Sequence, residues 1–479
     1  MHGSPVETDI APSGSLLGLL QRGRGDGTLH ALAAPRAEAL DALRRCLVHD
    51  PRRDWQLEHR SLYYARLHRD LDAGLDDLER HLFHPDDTVD QREERTGLAL
   101  SVLGHLMAYG VAGAAELLRR YVAEGSNWQW ALDELAVRDD DAALRRLGPA
   151  VLARFPATPQ GDAALAAAAR DAYEPRPWRL WSEDAARPRL AARLRRAREQ
   201  GAFDRWQRQL RPGGPRPGWS VREVLDWAQQ GHESHPRQSR EAPAARCLAA
   251  VATPQDRPLL LAVAADGPDA ARAAALRHLT ERNDPAALDL VEQAAADPSD
   301  TVSRAAVTAF GRMCGAPALR RARRWAHRQD ELGEAAAAML ACRGDAQDAD
   351  AVLAALRRTV RNRGCDAPAL GPLVDGVARF GLRTAAPVLR HLYRETASSH
   401  LRGRAAAALA ATDPSFPAGF AVECLWDCEE STRELAARHA TTGDDRVVEQ
   451  LRRLATDPAE EAGVQDVVRG RLHSGPHTR

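Results

Sequence analysis

The chain has 479 residues, more than one compact hydrophobic core usually holds, so several domains or one extended array are expected. All 66 basic side chains are arginines, which excludes a Schiff-base lysine, a P-loop lysine and the strand lysine of kinases. The formal net charge of −1 provides no global reason to bind nucleic acid or an anionic membrane, so any such site must be local.

Composition also predicts secondary structure and compartment. Ile10 is the only isoleucine, and alanine, leucine, arginine and glutamate dominate, which favours helices over strands. The cysteines show no paired spacing, the N-terminus lacks a charged-then-apolar signal, and no run of about eighteen or more apolar residues occurs. The sequence therefore predicts an all-α cytoplasmic protein with neither a disulfide framework nor a membrane span.

The first third of the chain divides into a tail and a helical block. Residues 1–34 are rich in glycine, proline and serine, which predicts a disordered tail. Residues 35–156 show apolar stripes at helical spacing, beginning at Pro35, a residue favoured in the first turn of a helix. Turns at Tyr109-Gly110 and Asp139-Asp140 lie about thirty residues apart, which predicts helical hairpins.

Residues 157–241 differ from their surroundings. They contain many prolines and five of the ten tryptophans of the chain. Ser220 and Glu223 form a capping box that opens a short helix. The segment is predicted to be a partly helical connector with proline-rich loops.

The second helical block, residues 242–472, has a clear period, and residues 473–479 form a short tail. Its turns recur every 30 to 36 residues, at Thr253, Asp284, Gly315, Asp345, Gly381, Asp413 and Asp444. Within one unit the apolar residues fall on a single helix face: Val302, Ala305, Ala306, Ala309 and Phe310. Such a period predicts an α-solenoid of stacked helical hairpins.

The motif of this block is Asp297-Pro298, then Val302-Ser303-Arg304-Ala305-Ala306, with a Gly-Asp pair before the next apolar helix. It resembles the HEAT repeats of the bacterial, phycobilisome-lyase-like type, closely over residues 248–454 and more loosely over residues 37–155. The resemblance implies a right-handed superhelix, here in two blocks joined by the connector, and a scaffold or recognition role. It implies no activity, and nothing beyond the repeats indicates a tetrapyrrole lyase.

The connector contains the first candidate binding site. Between Arg176 and Arg222, thirteen arginines stand against four acidic residues, with aromatic residues interleaved. Arginine pairs with phosphate bidentately, and aromatic rings stack on unpaired bases. The polyanion-binding candidates are Arg176, Arg179, Arg193, Arg195, Arg196, Arg198, Trp178, Trp181 and Trp206. The alternative is a solvated arginine helix whose tryptophans fill the junction between the two blocks.

A second basic cluster surrounds Trp325. It consists of five arginines on the second helix of a repeat, which in HEAT stacks usually lines the concave side: Arg320, Arg321, Arg323, Arg324 and Arg328. Of these, Arg320, Arg321 and Arg324 are further polyanion-binding candidates. The alternative is cation–π packing of arginine on Trp325.

Residues 127–136 resemble a segment of the HEAT-like alkylpurine DNA glycosylases, in which a tryptophan pair and an aspartate on one helix contribute to the lesion site. The resemblance makes Asp133 the catalytic carboxylate, with Trp128 or Trp130 as its aromatic partner. However, Gln129 occupies the place of the catalytic tryptophan of that family. The alternative is a helix with a buried apolar stripe and a solvated Asp133.

Other chemistry has little support in the sequence. Cys424 and Cys428 lie four residues apart, but no second pair or nearby histidine spacing completes a zinc site, and no nucleophile motif occurs. The sequence therefore predicts no metal and no cofactor. The prediction is a non-enzymatic HEAT-repeat scaffold that binds a protein partner through its concave surface. The alternative is a nucleic-acid-binding HEAT protein or a HEAT-like DNA glycosylase.

Overall fold

The computed structural model describes residues 10–49, 60–88, 93–197, 199, 218–234 and 240–473, and every regular element in these ranges is a helix. The first twelve are α1 (Leu16–Gln21), α2 (Gly25–Ala33), α3 (Arg36–Val48), α4 (Arg60–Asp70), α5 (Asp76–Leu82), α6 (Glu93–Ala108), α7 (Ala114–Glu124), α8 (Trp128–Arg138), α9 (Asp141–Ala153), α10 (Pro159–Asp171), α11 (Arg176–Ser182) and α12 (188–197). The predicted all-α fold class is confirmed.

Sixteen further helices follow in the described ranges, separated by short turns. They are α13 (Val221–Ser234), α14 (Glu241–Val251), α15 (Arg257–Asp266), α16 (Asp269–Glu281), α17 (Ala287–Ala295), α18 (Asp300–Arg312), α19 (Ala316–Trp325), α20 (Glu331–Arg343), α21 (Ala349–Arg363), α22 (Leu370–Arg379), α23 (Ala386–Glu395), α24 (Ser399–Thr412), α25 (Phe420–Cys424), α26 (Glu430–His439), α27 (Asp445–Thr456) and α28 (Ala462–His473). No helix within the described ranges combines the length and apolar character needed to cross a membrane.

The chain forms two compact units. Unit 1 combines residues 1–210 with residues 393–410 and 414–479, and unit 2 combines residues 211–392 with residues 411–413. These units do not coincide with the two predicted blocks, because the end of the second block packs with the N-terminal residues.

Unit 2 is a stack of helical hairpins in two layers. Helices α14, α16, α18, α20 and α22 pack directly side by side, while α15, α17, α19 and α21 form a looser second layer. The close layer is rich in buried alanines, such as Ala274 and Ala306, whose small side chains let neighbouring helices approach. We call the close layer the inner layer and the looser one the outer layer. The predicted α-solenoid of hairpins is confirmed.

Arginine–aspartate pairs connect successive hairpins of unit 2. Arg272 on α16 reaches Asp297 before α18 at 2.5 Å, and Arg323 on α19 reaches Asp348 before α21 at 2.8 Å. Each pair joins one helix to the turn that precedes the next helix of the same layer. These arginines therefore form ion pairs that connect the hairpins of the fold.

The N-terminal residues of unit 1 are folded. The predicted disordered tail over residues 1–34 is wrong for α1 and α2, which pack on α3 and α25. Leu20 is fully buried, and the Tyr64 hydroxyl donates to its carbonyl oxygen at 3.1 Å. The apolar patch on α1 is short, but partners from distant parts of the chain cover it, which composition alone does not reveal.

The N-terminal helices of unit 1 pack against the turns of the C-terminal hairpins. Arg66 on α4 pairs with Asp457 at 2.8 Å and with Glu460 at 3.0 Å, both in the turn before α28. Arg402 on α24 and Asp427 form an ion pair at 2.7 Å in which both side chains are fully buried. Because an unpaired buried charge is costly, each of these arginines depends on its partner carboxylate.

The described part of the connector contains α10 to α13. Helices α10 to α12 belong to unit 1, where Trp181 lies in one continuous core with residues as distant as Leu20. The predicted tail over residues 473–479 lies, apart from His473, outside the described residues.

Candidate interaction surfaces

The tryptophans of the connector are packed in the core. Trp178 is 2% exposed and Trp181 is fully buried, and their rings meet edge to face at 5.3 Å. The Trp181 indole N–H donates to the carbonyl oxygen of Leu144 at 2.7 Å. Neither ring can stack on a base, so the prediction of a stacking platform is wrong for these two residues. Trp206 lies outside the described residues.

The arginines of the connector fall into two groups. Arg176 binds Asp141 and the carbonyl oxygen of Ala136, and Arg193 binds Asp162 and two carbonyl oxygens before α10. A second group is exposed and has no ion pair within the part of the chain that the structure describes: Arg179, Arg195 and Arg196. Arg198 lies outside the described residues. The local excess of positive charge is therefore smaller than the sequence indicates.

The cluster around Trp325 lies on α19, in the outer layer. The expectation that it lines the concave side stays a prediction. Arg321 pairs with Asp289 at 2.7 Å and with Glu292 at 3.1 Å, and its guanidinium lies 5.2 Å from the centroid of the Trp325 ring. Arg320 and Arg324 remain exposed.

Asp133 lies on α8 and is partly buried. Burial raises the pKa of Asp133 to about 6, and the nearby carboxylates of Glu174 and Glu134 add to this rise, while a hydrogen bond from the Glu174 backbone N–H at 3.2 Å opposes it. Burial is thus the largest cause of the raised pKa of Asp133, and the neighbouring carboxylates contribute less.

The aromatic residues near Asp133 face other neighbours. Trp128 packs edge to face on Phe155 at 6.0 Å, and the Trp130 indole N–H donates to the Ser101 hydroxyl at 2.9 Å. The three side chains of the glycosylase hypothesis therefore do not converge on a common site in the structure.

The two neighbouring cysteines serve packing. The Cys424 thiol lies 3.2 Å from the Tyr393 hydroxyl, and the Cys428 sulfur accepts a hydrogen bond from Arg402 at 3.4 Å. Both cysteines are buried. Across the described ranges, no group of three or more histidine, cysteine, aspartate or glutamate side chains is placed to hold a metal ion.

A groove of about 460 Å³ lies between α24 and α26 in unit 1. We call it the inner groove, because α26 and α28 pack side by side as the inner helices of unit 2 do. Its lining combines small or apolar residues with charged and polar ones: Gly403, Ala407, Leu435, His400, Arg404, Ser431, Glu434 and Arg438. A Cβ on Gly403 would lie 2.8 Å from the Thr432 hydroxyl oxygen, so glycine permits the close approach of the two helices.

Comparison with known protein families now identifies the repeats. Residues 257–342, which span α15 to α20 of unit 2, match the family model of HEAT repeats. The chain therefore contains HEAT repeats over these residues. HEAT repeats are generally protein-interaction scaffolds. A search among curated proteins finds no match to this chain.

A second groove, of about 480 Å³, lies on the outer layer of the helical hairpins in unit 2. We call it the outer groove. Its lining contains three arginines, two amides and one alanine: Arg357, Arg358, Arg361, Gln329, Asn362 and Ala354. None of the sites predicted from the sequence lies here, although one signal is present, since no acidic residue occurs between Asp350 and Asp366.

Proposed function

We propose that this HEAT-repeat protein is a non-enzymatic scaffold that binds a protein partner on its concave surface, at the inner groove. The inner groove is the observation that supports the proposal. Small and apolar residues lie next to charged ones there, which is the usual anatomy of a protein interface with an apolar centre and a polar rim. Arg404 and Arg438 are exposed, and arginine is enriched at interaction hot spots.

The charge of the inner groove also favours a protein partner over a polyanion. Arg438 pairs with Glu434 one turn earlier on α26, and His400 lies 3.7 Å from Glu429. The rim of the groove therefore carries both positive and negative groups. A partner segment with an apolar side chain between polar ones matches this lining.

The test uses a photo-crosslinking residue at Ala407, which is exposed in the inner groove, and a matched one at Ala164, which is exposed on α10. We expect one partner to cross-link from position 407 and not from position 164. A partner that cross-links equally from both positions, or none from position 407, would contradict the proposal.

A steric substitution gives the quantitative measurement. Ala407→Arg fills the inner groove and is expected to weaken binding of the cross-linked partner at least tenfold, which is about 1.4 kcal/mol. Ala164→Arg adds the same side chain outside the groove and is expected to bind as the unchanged protein does. Thermal unfolding of both variants shows whether folding is preserved.

A further inference from the structure

The arginines of the outer groove form no ion pair among the described residues, whereas many other arginines of unit 2 do. Carboxylates neutralise those guanidinium groups, as in the pairs of Arg272 with Asp297 and Arg363 with Glu334. Arg357 instead donates to the carbonyl oxygen of Thr384 at 2.8 Å, and Arg358 to that of Ala326 at 3.0 Å. Carbonyl oxygens hold a guanidinium in place but leave its full positive charge.

Arg361 completes the group. It lies one helical turn after Arg357 on the same face of α21, is exposed, and has no ion pair among the residues that the structure describes. No acidic side chain lines the groove, and like charges at this spacing repel each other. The fold therefore keeps a local concentration of positive charge that an external anion would neutralise.

The geometry also prepares these groups for binding. Arg357 is anchored to the turn before α23 and Arg358 to the end of α19, so the hairpins on either side fix two of the three guanidinium groups. Each guanidinium carries five N–H donors, and one anchoring bond leaves most of them free for a carboxylate. Fixing the side chains in advance lowers the entropy lost on binding.

The positive surface extends beyond the groove. Arg320, Arg324 and His327 are exposed on and just after α19, whose following residue Ala326 accepts the bond from Arg358. Two outer helices, α19 and α21, thus present arginines that have no ion pair in the described ranges, which suits an extended anionic segment better than a single small ion.

An acidic peptide fits better than a nucleic acid. The large apolar side chains that are exposed in the described chain are Leu32, Val137 and Tyr173, and none of them belongs to unit 2. Trp325, the ring nearest to these arginines in sequence, is only 4% exposed. The described part of unit 2 therefore offers no exposed aromatic ring on which unpaired bases could stack.

We propose that the outer groove on α21 binds an acidic protein segment rich in aspartate and glutamate, independently of the inner groove. The test is fluorescence anisotropy of a labelled oligo-glutamate peptide with the full-length protein. We expect saturable binding at low salt that weakens steeply as the salt concentration rises, since the contacts are between exposed charges.

Charge reversal identifies the site. Arg361→Glu and Arg357→Glu are expected to weaken peptide binding at least tenfold each. Arg304→Glu, on the inner layer of the same unit, reverses the charge of an arginine whose side chain is 59% exposed and is expected to change binding less than twofold. Melting curves of all three variants should match that of the unchanged protein, because these side chains are exposed.

Three results would overturn the proposal. The first is no binding of oligo-glutamate at low salt. The second is an equal loss of binding in Arg361→Glu and Arg304→Glu, which would show that only the overall charge matters. The third is tighter binding of a labelled single-stranded oligonucleotide with the same dependence on Arg361, which would assign the groove to nucleic acid.

Discussion

At the scale of single residues, the partner of a charged or aromatic side chain decides what that side chain can do. Arg176 and Arg361 look alike in sequence, yet Arg176 binds Asp141 while Arg361 is exposed without an ion pair among the described residues. Trp178 lies in an arginine-rich segment and is nevertheless buried against Trp128. Local charge counts therefore overestimate binding potential wherever other elements supply carboxylates.

Asp133 allows a pH-dependent prediction at this scale. Its pKa is raised from 3.8 to about 6, so the folded protein holds this proton more tightly than the unfolded chain does. The stability that this proton contributes is present below about pH 4 and is lost as the pH rises through about 6. At pH 8 the ionised, partly buried carboxylate therefore destabilises the fold.

Asp133→Asn removes the ionisation and keeps an acceptor for the Glu174 N–H. We expect this variant to be more stable than the unchanged protein by about 1 kcal/mol at pH 8, a value reduced for solvent screening of a partly exposed group. At pH 4 the difference should vanish. Urea unfolding at both values measures it, and Asp466→Asn, a change at an exposed aspartate, should show no such pH dependence.

At the scale of elements, the inner-layer helices show how far sequence periodicity reaches. The apolar stripe of α18 predicted from the sequence is buried as expected, with Ala306 and Phe310 fully inaccessible. The turns predicted at Asp284 and Asp345 precede α17 and α21. Helix faces and turns depend on residues close in sequence, which is why the pattern predicts them.

The substitution Ala306→Asp tests the inner layer. Ala306 is fully buried between neighbouring inner helices, so an aspartate there places an unpaired charge in the core. We expect a loss of about 3–5 kcal/mol in the free energy of unfolding. Thr308→Asp, at an exposed position of the same helix, should cost much less. Equal urea midpoints for the two variants would show that the assignment of helix faces is wrong.

At the scale of the whole molecule, unit 1 is built from parts of the chain that lie far apart in sequence. Arg66, for example, donates a hydrogen bond to Glu460, although 394 residues separate them. Gly23 accepts hydrogen bonds from the Cys428 backbone N–H at 2.9 Å and from Arg402 at 3.3 Å. No local pattern in residues 10–34 indicates these partners, which explains why composition suggested disorder there.

Gly25 tests this long-range packing. A Cβ at Gly25 would lie 1.8 Å from the carbonyl oxygen of Glu423, so α2 could not approach α25 as it does. We expect Gly25→Ala to destabilise the protein by about 1–3 kcal/mol and to speed hydrogen exchange in α1 and α2. Gly14→Ala is the matched control, because a Cβ there meets no atom within 4 Å. Unchanged exchange in Gly25→Ala would contradict the described contact.

The sequence by itself determined the all-α class, the hairpin period, the turn positions and the buried stripe of α18. These follow from helix propensity and from apolar spacing over about ten to fifteen residues, where each residue acts on its near neighbours. The tertiary structure alone decided which arginines are neutralised, that Trp178 and Trp181 are buried, that α1 and α2 fold, and where the two grooves lie. Each of these depends on which carboxylate, carbonyl or apolar surface another element brings within a few ångströms, and chain folding sets that distance independently of separation along the sequence.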